Sequence, residues 1–191
     1  MSLLVKSALD WAATWHSKQR RKYPNADVPY VSHLAGVAVL LAQHGFRDEV
    51  LAAGALHDAL EDQGVTYEQL VERFGGDVAE LVRHVSEEDK SLPWEARKAA
   101  YLARFPHKPW EAQAITLADK IDNLRSIVVC ARDWGDPWSQ FKRGREAQLA
   151  RFDSLLLAAR KLPPHPLIDE LANALEQVRR VGETGESPRG A

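Results

Sequence analysis

Along most of this chain apolar residues recur every three or four positions, and no stretch sustains the alternation of a half-buried strand. Leu4, Ala8, Trp11 and Trp15 mark one face of a first helix that runs out into the basic stretch KQRRK. The proline-bearing YPNADVPYV reads as a loop, after which Ser32 is placed to cap a helix over roughly 33–44. A third helix over about 47–60 carries the ionisable cluster of GALHDALED near its C-terminal end. Thr66 and Gln69 have capping-box spacing and open a short helix through Phe74; Gly75-Gly76 breaks it, and DVAELVRHVS starts another. Pro93 and Pro109 suit first helical turns, predicting helices near 93–105 and 109–130. Asp136-Pro137 repeats that signal for a long helix to about 160, and three prolines precede a last helix near 166–181. The pattern predicts an all-α fold, a compact single-domain bundle of about eight helices over residues 1–181. The polar, glycine-rich segment 182–191 is expected to be a disordered tail.

Composition narrows the function more than the fold. A chain of 191 residues can bury a sizeable core without staples. Its formal net charge of −2 gives no overall attraction to nucleic acid or to acidic membranes, and no apolar run reaches the ~20 residues of a spanning helix. Neither nucleic acid nor membrane is therefore an expected partner. The single cysteine, Cys130, lies in an apolar helix, which excludes an internal disulfide framework and fits a reducing, cytoplasmic setting. Nothing in the sequence speaks to oligomeric state.

The candidate chemistry lies in three separated segments: His33, then His57-Asp58, then Asp119 in AITLADKIDNLRSI. Each falls at or within a predicted helix, so a bundle can bring them together. Two imidazoles and two carboxylates form a mixed nitrogen and oxygen donor set, which suits a first-row divalent ion with positions left open for water. Leu117, Ile121, Leu124 and Val128 form a core stripe, with Asp119 on a neighbouring face. Asp122 and Asn123 follow Asp119 by three and four residues and so lie beside it, Asn123 within reach of a substrate. His16, His44, His84, His107 and His165 have no such company and are expected to be structural or exposed.

In series, the basic Arg21-Lys22, PYVSH, HDALED, FG and LADKIDNLR resemble the HD superfamily of metal-dependent phosphohydrolases. The resemblance is to its RelA/SpoT-type hydrolase branch and the stand-alone small alarmone hydrolases. It implies that His33, His57, Asp58 and Asp119 hold one divalent ion, usually manganese. By the same resemblance, Glu61 and Asp62 match a catalytic acidic pair. Arg21 and Lys22 match residues that approach the nucleotide and its phosphates, and Asn123 matches a substrate contact. The implied reaction is removal of the 3′-pyrophosphate of (p)ppGpp, giving GDP or GTP and pyrophosphate, which would tie the chain to the stringent response. Three residues depart from the branch: Asp122 replaces histidine or tyrosine, Thr116 a lysine, and Gln63 a threonine. None is a proposed ligand, but each bears on which small-molecule nucleotide is the substrate. Hydrolysis of another nucleotide (a nucleoside monophosphate, (p)ppApp or an NADP-type dinucleotide) and non-catalytic nucleotide binding are the alternatives.

Overall fold

The computed structural model describes residues 1–86 and 93–181, so the predicted 182–191 tail lies outside the described residues. They form an all-α bundle, as the periodicity predicts, with an isolated bridge between Arg20 and Pro29 as its only β pairing among the described residues. The helices are α1 Leu3–Trp15, α2 Val31–Gln43, α3 Asp48–Leu56, α4 Ala59–Asp62, α5 Tyr67–Phe74, α6 Gly76–Val85, α7 Trp94–Arg104, α8 Trp110–Asp133, α9 Gly144–Ala159 and α10 Pro166–Arg179. Short 3-10 turns at Phe105–His107 and Pro137–Gln140 precede α8 and α9.

The centre of the bundle is α8. Its 24 residues span about 36 Å, and α2, α3, α6 and α10 all pack on it. Leu117, Ile121 and Leu124 are fully buried as the stripe predicts; at the next turn Ile127 is buried and Val128 only partly so. Cys130 is buried and free. Polar positions on this helix are satisfied locally. Gln113 donates to the carbonyls of Phe105 and Pro106, and Thr116 donates to Ala112 O and meets the Tyr101 hydroxyl. Thr116 therefore ties α7 to α8.

One close helix approach decides where the candidate residues fall. A Cβ on Gly54 of α3 would stand 2.5 Å from Leu41 Cδ1 and 3.3 Å from Val37 Cγ1. Glycine thus lets α3 lie directly on α2, which brings the end of α3 beside His33. The capping box at Thr66 and Gln69 forms as predicted, and Gly75 breaks the chain between α5 and α6 with a positive φ of 85°.

Three local expectations are corrected. Ser32 does not cap α2; its hydroxyl donates to Pro29 O, and the helix begins two residues earlier than expected, at Val31. The predicted 47–60 helix stops at Leu56. The His57 ring Nδ1 lies 2.8 Å from Gly54 O and takes up one of the carbonyls orphaned at the helix end, after which the single turn α4 restarts at Ala59. The predicted long helix from Asp136 is divided: Asp136 caps only the 3-10 turn, and α9 begins at Gly144, whose φ of 70° suits glycine.

Candidate functional site

The break at His57-Asp58 assembles the site. Successive residues of a continuous helix point about 100° apart, but here both side chains stand in the gap between α3, which ends at Leu56, and α4, which starts at Ala59. His57 Nε2 and Asp58 Oδ2 are 3.2 Å apart. His33 enters from α2 and Asp119 from α8. Asp119 Oδ1 lies 3.4 Å from His33 Nε2 and 3.9 Å from His57 Nε2. One donor atom each from His33, His57 and Asp58 falls within 4.8 Å of the others. Residues from three distant segments thus meet in the interior: His33, His57 and Asp58 as one cluster, with Asp119 beside the two imidazoles.

The outer contacts fix which nitrogen faces that point. Nδ1 of His57 is turned to Gly54 O, and Nδ1 of His33 lies 2.6 Å from Asp122 Oδ2, leaving both Nε2 atoms directed inward. His57 Nε2 is buried and aligned for a hydrogen bond with no neighbour, despite the carboxylates around it. A buried nitrogen without a partner, facing two carboxylates and a second imidazole, is the arrangement a divalent cation fits. The electrostatics agree. Burial works against a charge on His57, but Asp58 and Asp119 outweigh it and raise its pKa to about 9. Burial likewise opposes charge on Asp58, yet the imidazole of His57 holds its carboxyl below the ordinary range. Asp119 is lowered too, burial being outweighed by Lys120 and the two histidines. The site is rich in negative charge that draws in protons and cations.

Two residues that the sequence did not single out complete it. Tyr30 donates its hydroxyl to Asp58 Oδ2 at 2.5 Å; burial and that carboxylate push the phenol well above its usual range, so it remains a donor. Lys120 bonds Asp119 Oδ2 and keeps its proton in spite of burial because of that pairing. Asn123 donates to Asp119 Oδ1 and accepts at 3.0 Å from Arg21 Nη2, so Arg21, Asn123 and Asp119 form one chain of contacts.

Two cavities open from the centre. The smaller, about 150 Å³, is lined by His57, Asp58, Glu61, Asp119 and Asn123 together with Lys98, Lys120 and Arg151. The larger, about 340 Å³, is lined by Arg20, Arg21, Lys22, Lys120 and Arg151 against the carboxylate of Asp62, with Tyr23, Phe141 and Phe152 among its apolar walls. The acidic pair is therefore divided: Glu61 faces the inner cavity and Asp62 the outer one. Asp62 is held there by Gln19, whose amide donates at 2.9 Å, and Gln19 is in turn held by Gln63 at 2.6 Å. Gln63 thus braces Asp62 through Gln19. The Gln63 amide also lies 3.1 Å from Nδ1 of His16, a buried histidine at the edge of the site. Lys22 is exposed at the cleft mouth. Lys142, Arg143 and Arg145 form a second basic cluster along the chain, in which Arg143 pairs with Glu95 and Arg145 with Glu146. Arg151, seven residues after Gly144 on α9, reaches both cavities instead; nothing in its helical spacing marks it beforehand.

The profile of the HD domain matches residues 8–137, which takes in all four converging donors. The chain belongs to the HD-domain family. Among curated proteins it is 38% identical over 139 residues to the guanosine-3′,5′-bis(diphosphate) 3′-pyrophosphohydrolase MESH1 of Xenopus tropicalis, covering 72% of this chain and 75% of that one. The human MESH1 is 39% identical over 137 residues, covering 71% and 74%. A bacterial guanosine-3′,5′-bis(diphosphate) 3′-pyrophosphohydrolase from Aquifex aeolicus is 33% identical over 128 residues, 65% of this chain but only 18% of that protein. Among solved structures, a metazoan ortholog of SpoT that hydrolyses ppGpp superposes with a TM-score of 0.80 at 31% identity, covering 93% of this chain and 96% of the other. The all-α HD architecture extends over nearly the whole length of both. No helix among the described residues is long and apolar enough to cross a membrane.

Proposed function

We propose that this HD-domain chain is a metal-dependent nucleotide phosphohydrolase that removes the 3′-pyrophosphate of (p)ppGpp. The observation that carries the reading is the convergence of two inward-facing imidazole nitrogens and two carboxylates beneath a cleft walled by cations. The named activity of the MESH1 relatives and of the SpoT ortholog supports the same reading. His33, His57, Asp58 and Asp119 would hold one divalent ion, manganese being the expected one. When bound there, such an ion supplies positive charge against a phosphoryl oxygen and lowers the pKa of a coordinated water.

The chain's own residues supply the remaining parts. Arg21 and Lys22 at the mouth, with Lys120 and Arg151 deeper in, bind a polyanion; a guanidinium offers a phosphate two parallel donors. Asn123, fixed between Arg21 and Asp119, meets the substrate at the boundary of the two cavities. Glu61 is the carboxylate on the inner wall and is the base that accepts the proton of the attacking water. Asp62, braced by Gln19 and Gln63, orients that water or the ribose from the outer side. Attack at the phosphorus bonded to the 3′ oxygen breaks that P–O bond. The products are GDP or GTP, its ribose oxygen protonated, and pyrophosphate. Asp122 lines neither cavity, so its departure from the pattern of related hydrolases does not by itself argue for a different nucleotide.

The test is a panel of nucleotides incubated with the full chain and Mn²⁺, with products resolved by anion-exchange chromatography. The expected result is stoichiometric GDP and pyrophosphate from ppGpp. Turnover of another nucleotide with ppGpp untouched would reassign the substrate. Binding of nucleotide without turnover of any would reduce the chain to a binding module.

A further inference from the structure

His33 is held by α8 from both sides. Its Nε2 lies 3.4 Å from Asp119 Oδ1, and its Nδ1 lies 2.6 Å from Asp122 Oδ2. The two acids are three residues apart on α8, so both project from one face. Asp122 fits there only because α2 has no side chain at position 36. A Cβ on Gly36 would stand 2.1 Å from Asp122 Oδ1 and 3.0 Å from its Cγ. Glycine in the middle of a helix is otherwise unfavourable, and Gly36 lies three residues after His33, on the same side of α2. The notch and the histidine therefore face Asp122 together. An ionised carboxylate only accepts, so the hydrogen of a neutral His33 sits on Nδ1 and the Nε2 lone pair faces Asp119, His57 and Asp58. Asp122 touches neither cavity.

We infer that Asp122, seated in the notch of Gly36, is a positioning residue that fixes the tautomer and ring orientation of His33 as an Nε2 ligand. The inference rests on the metal reading above. Partners of this kind behind a ligating histidine commonly set metal affinity by about 10–100-fold. Asp122 and Gly36 form one unit: a side chain at 36 expels the carboxylate, and an expelled carboxylate frees His33 to rotate or to change tautomer.

Calorimetric titration of chelator-stripped full-length protein with Mn²⁺, alongside melting of the same proteins in chelator, tests this. Asp122→Ala is expected to weaken Mn²⁺ binding about 10–100-fold, with Asp122→Asn, which retains a carbonyl acceptor, falling between. Gly36→Ala is expected to weaken binding by a similar factor, with melting in chelator reading any cost of displacing the Asp122 carboxylate separately from affinity. In the Asp122→Ala background, Gly36→Ala should cost no further affinity; a purely structural role for either residue would not give that pattern. Should Asp122→Ala fail to fold, Gly36→Ala and Asp122→Asn carry the comparison. Wild-type affinity in all variants overturns the positioning role alone, whereas absence of Mn²⁺ binding by the wild type overturns the metal reading and this inference with it. Imidazole-nitrogen NMR of the metal-free protein is an independent check: His33 protonated on Nδ1 supports the assignment, and His33 protonated on Nε2 alone refutes it.

Discussion

If the converging donors hold an ion, the ion must stabilise the fold by mass action, and that stabilisation must vanish with the donors. The decisive perturbation is His57→Ala, because His57 Nε2 is buried without a hydrogen-bond partner and its other nitrogen is already committed to Gly54 O. An ion that binds only the folded chain contributes about 2.7 kcal/mol at a free concentration of 100 times its Kd. For a chain of 191 residues each kcal/mol moves Tm by roughly 2–4 °C, so saturation with Mn²⁺ should raise melting by about 5–11 °C over a chelated sample. Removing one ligand and weakening binding about 100-fold leaves roughly 0.4 kcal/mol at the same concentration, a shift of about 1 °C. The substitution also removes the buried imidazole facing Asp58 and Asp119, which costs the metal-free protein on the order of 3–5 kcal/mol. That loss cancels when each variant is compared with itself, chelated and loaded, by differential scanning fluorimetry. Asp119→Asn provides a second variant of nearly unchanged volume. Melting of the wild type that ignores Mn²⁺, or an undiminished shift in His57→Ala, refutes the reasoning.

Three further outcomes are expected. Glu61→Gln should lower kcat by about 10²–10⁴-fold with KM nearly unchanged, while Asp62→Asn costs less; steady-state kinetics showing the reverse order would exchange their roles. Gly54→Ala should destabilise the protein by about 1–3 kcal/mol in urea unfolding, because its Cβ would press on Leu41 and Val37; unchanged stability would mean that α2 and α3 can part freely. Lys108 is buried with no hydrogen-bond partner for its ammonium, which lies over the Tyr101 ring, and burial, with Arg104 and Lys120 nearby, pushes its pKa down to about 7. The folded state binds fewer protons than the unfolded chain between that value and the ordinary 10.5, so this residue makes stability rise as pH rises through the window. Lys108→Met should therefore stabilise the protein at pH 7 by about 1–3 kcal/mol and flatten the rise, and urea titrations at pH 7 and 9 with equal slopes in both proteins would contradict this.

The fold and the donor set were legible for different reasons. Helix positions followed from period and from side chains that cap locally: the Thr66–Gln69 box and the Gly75 break depend only on residues beside them. The grouping of His33, His57 and Asp58 was legible because imidazole and carboxylate are rare company for an apolar helix. The break at His57 was not legible, because LAAGALHDAL contains no proline and its one helix-disfavouring residue, Gly54, lies a turn before the break. The helix ends there because the His57 ring takes the Gly54 carbonyl, a competition decided by tertiary packing against α2. The Gly144 interruption had a local signal in the glycine itself, but the Asp136-Pro137 start signal outweighed it. Tyr30, Lys120 and Arg151 were missed because their roles depend on which way the helices face one another, which no spacing along one helix encodes.

The same break explains how six positions, His57 to Asp62, serve three purposes. Adjacent residues of a continuous helix point about 100° apart, so His57 and Asp58 would share a point with His33 and Asp119 only where it lay between their two directions. Ending the helix at Leu56 turns the two side chains onto one centre, and restarting it for a single turn sends Glu61 and Asp62 to different cavities. The candidate ligands and the proposed base thus come from one short segment whose rigidity depends on neighbours: Gly54 lets it lie on α2, Tyr30 holds Asp58, and Gln19 holds Asp62. Geometry at that turn, more than the presence of the HD dipeptide, is what makes the segment a site.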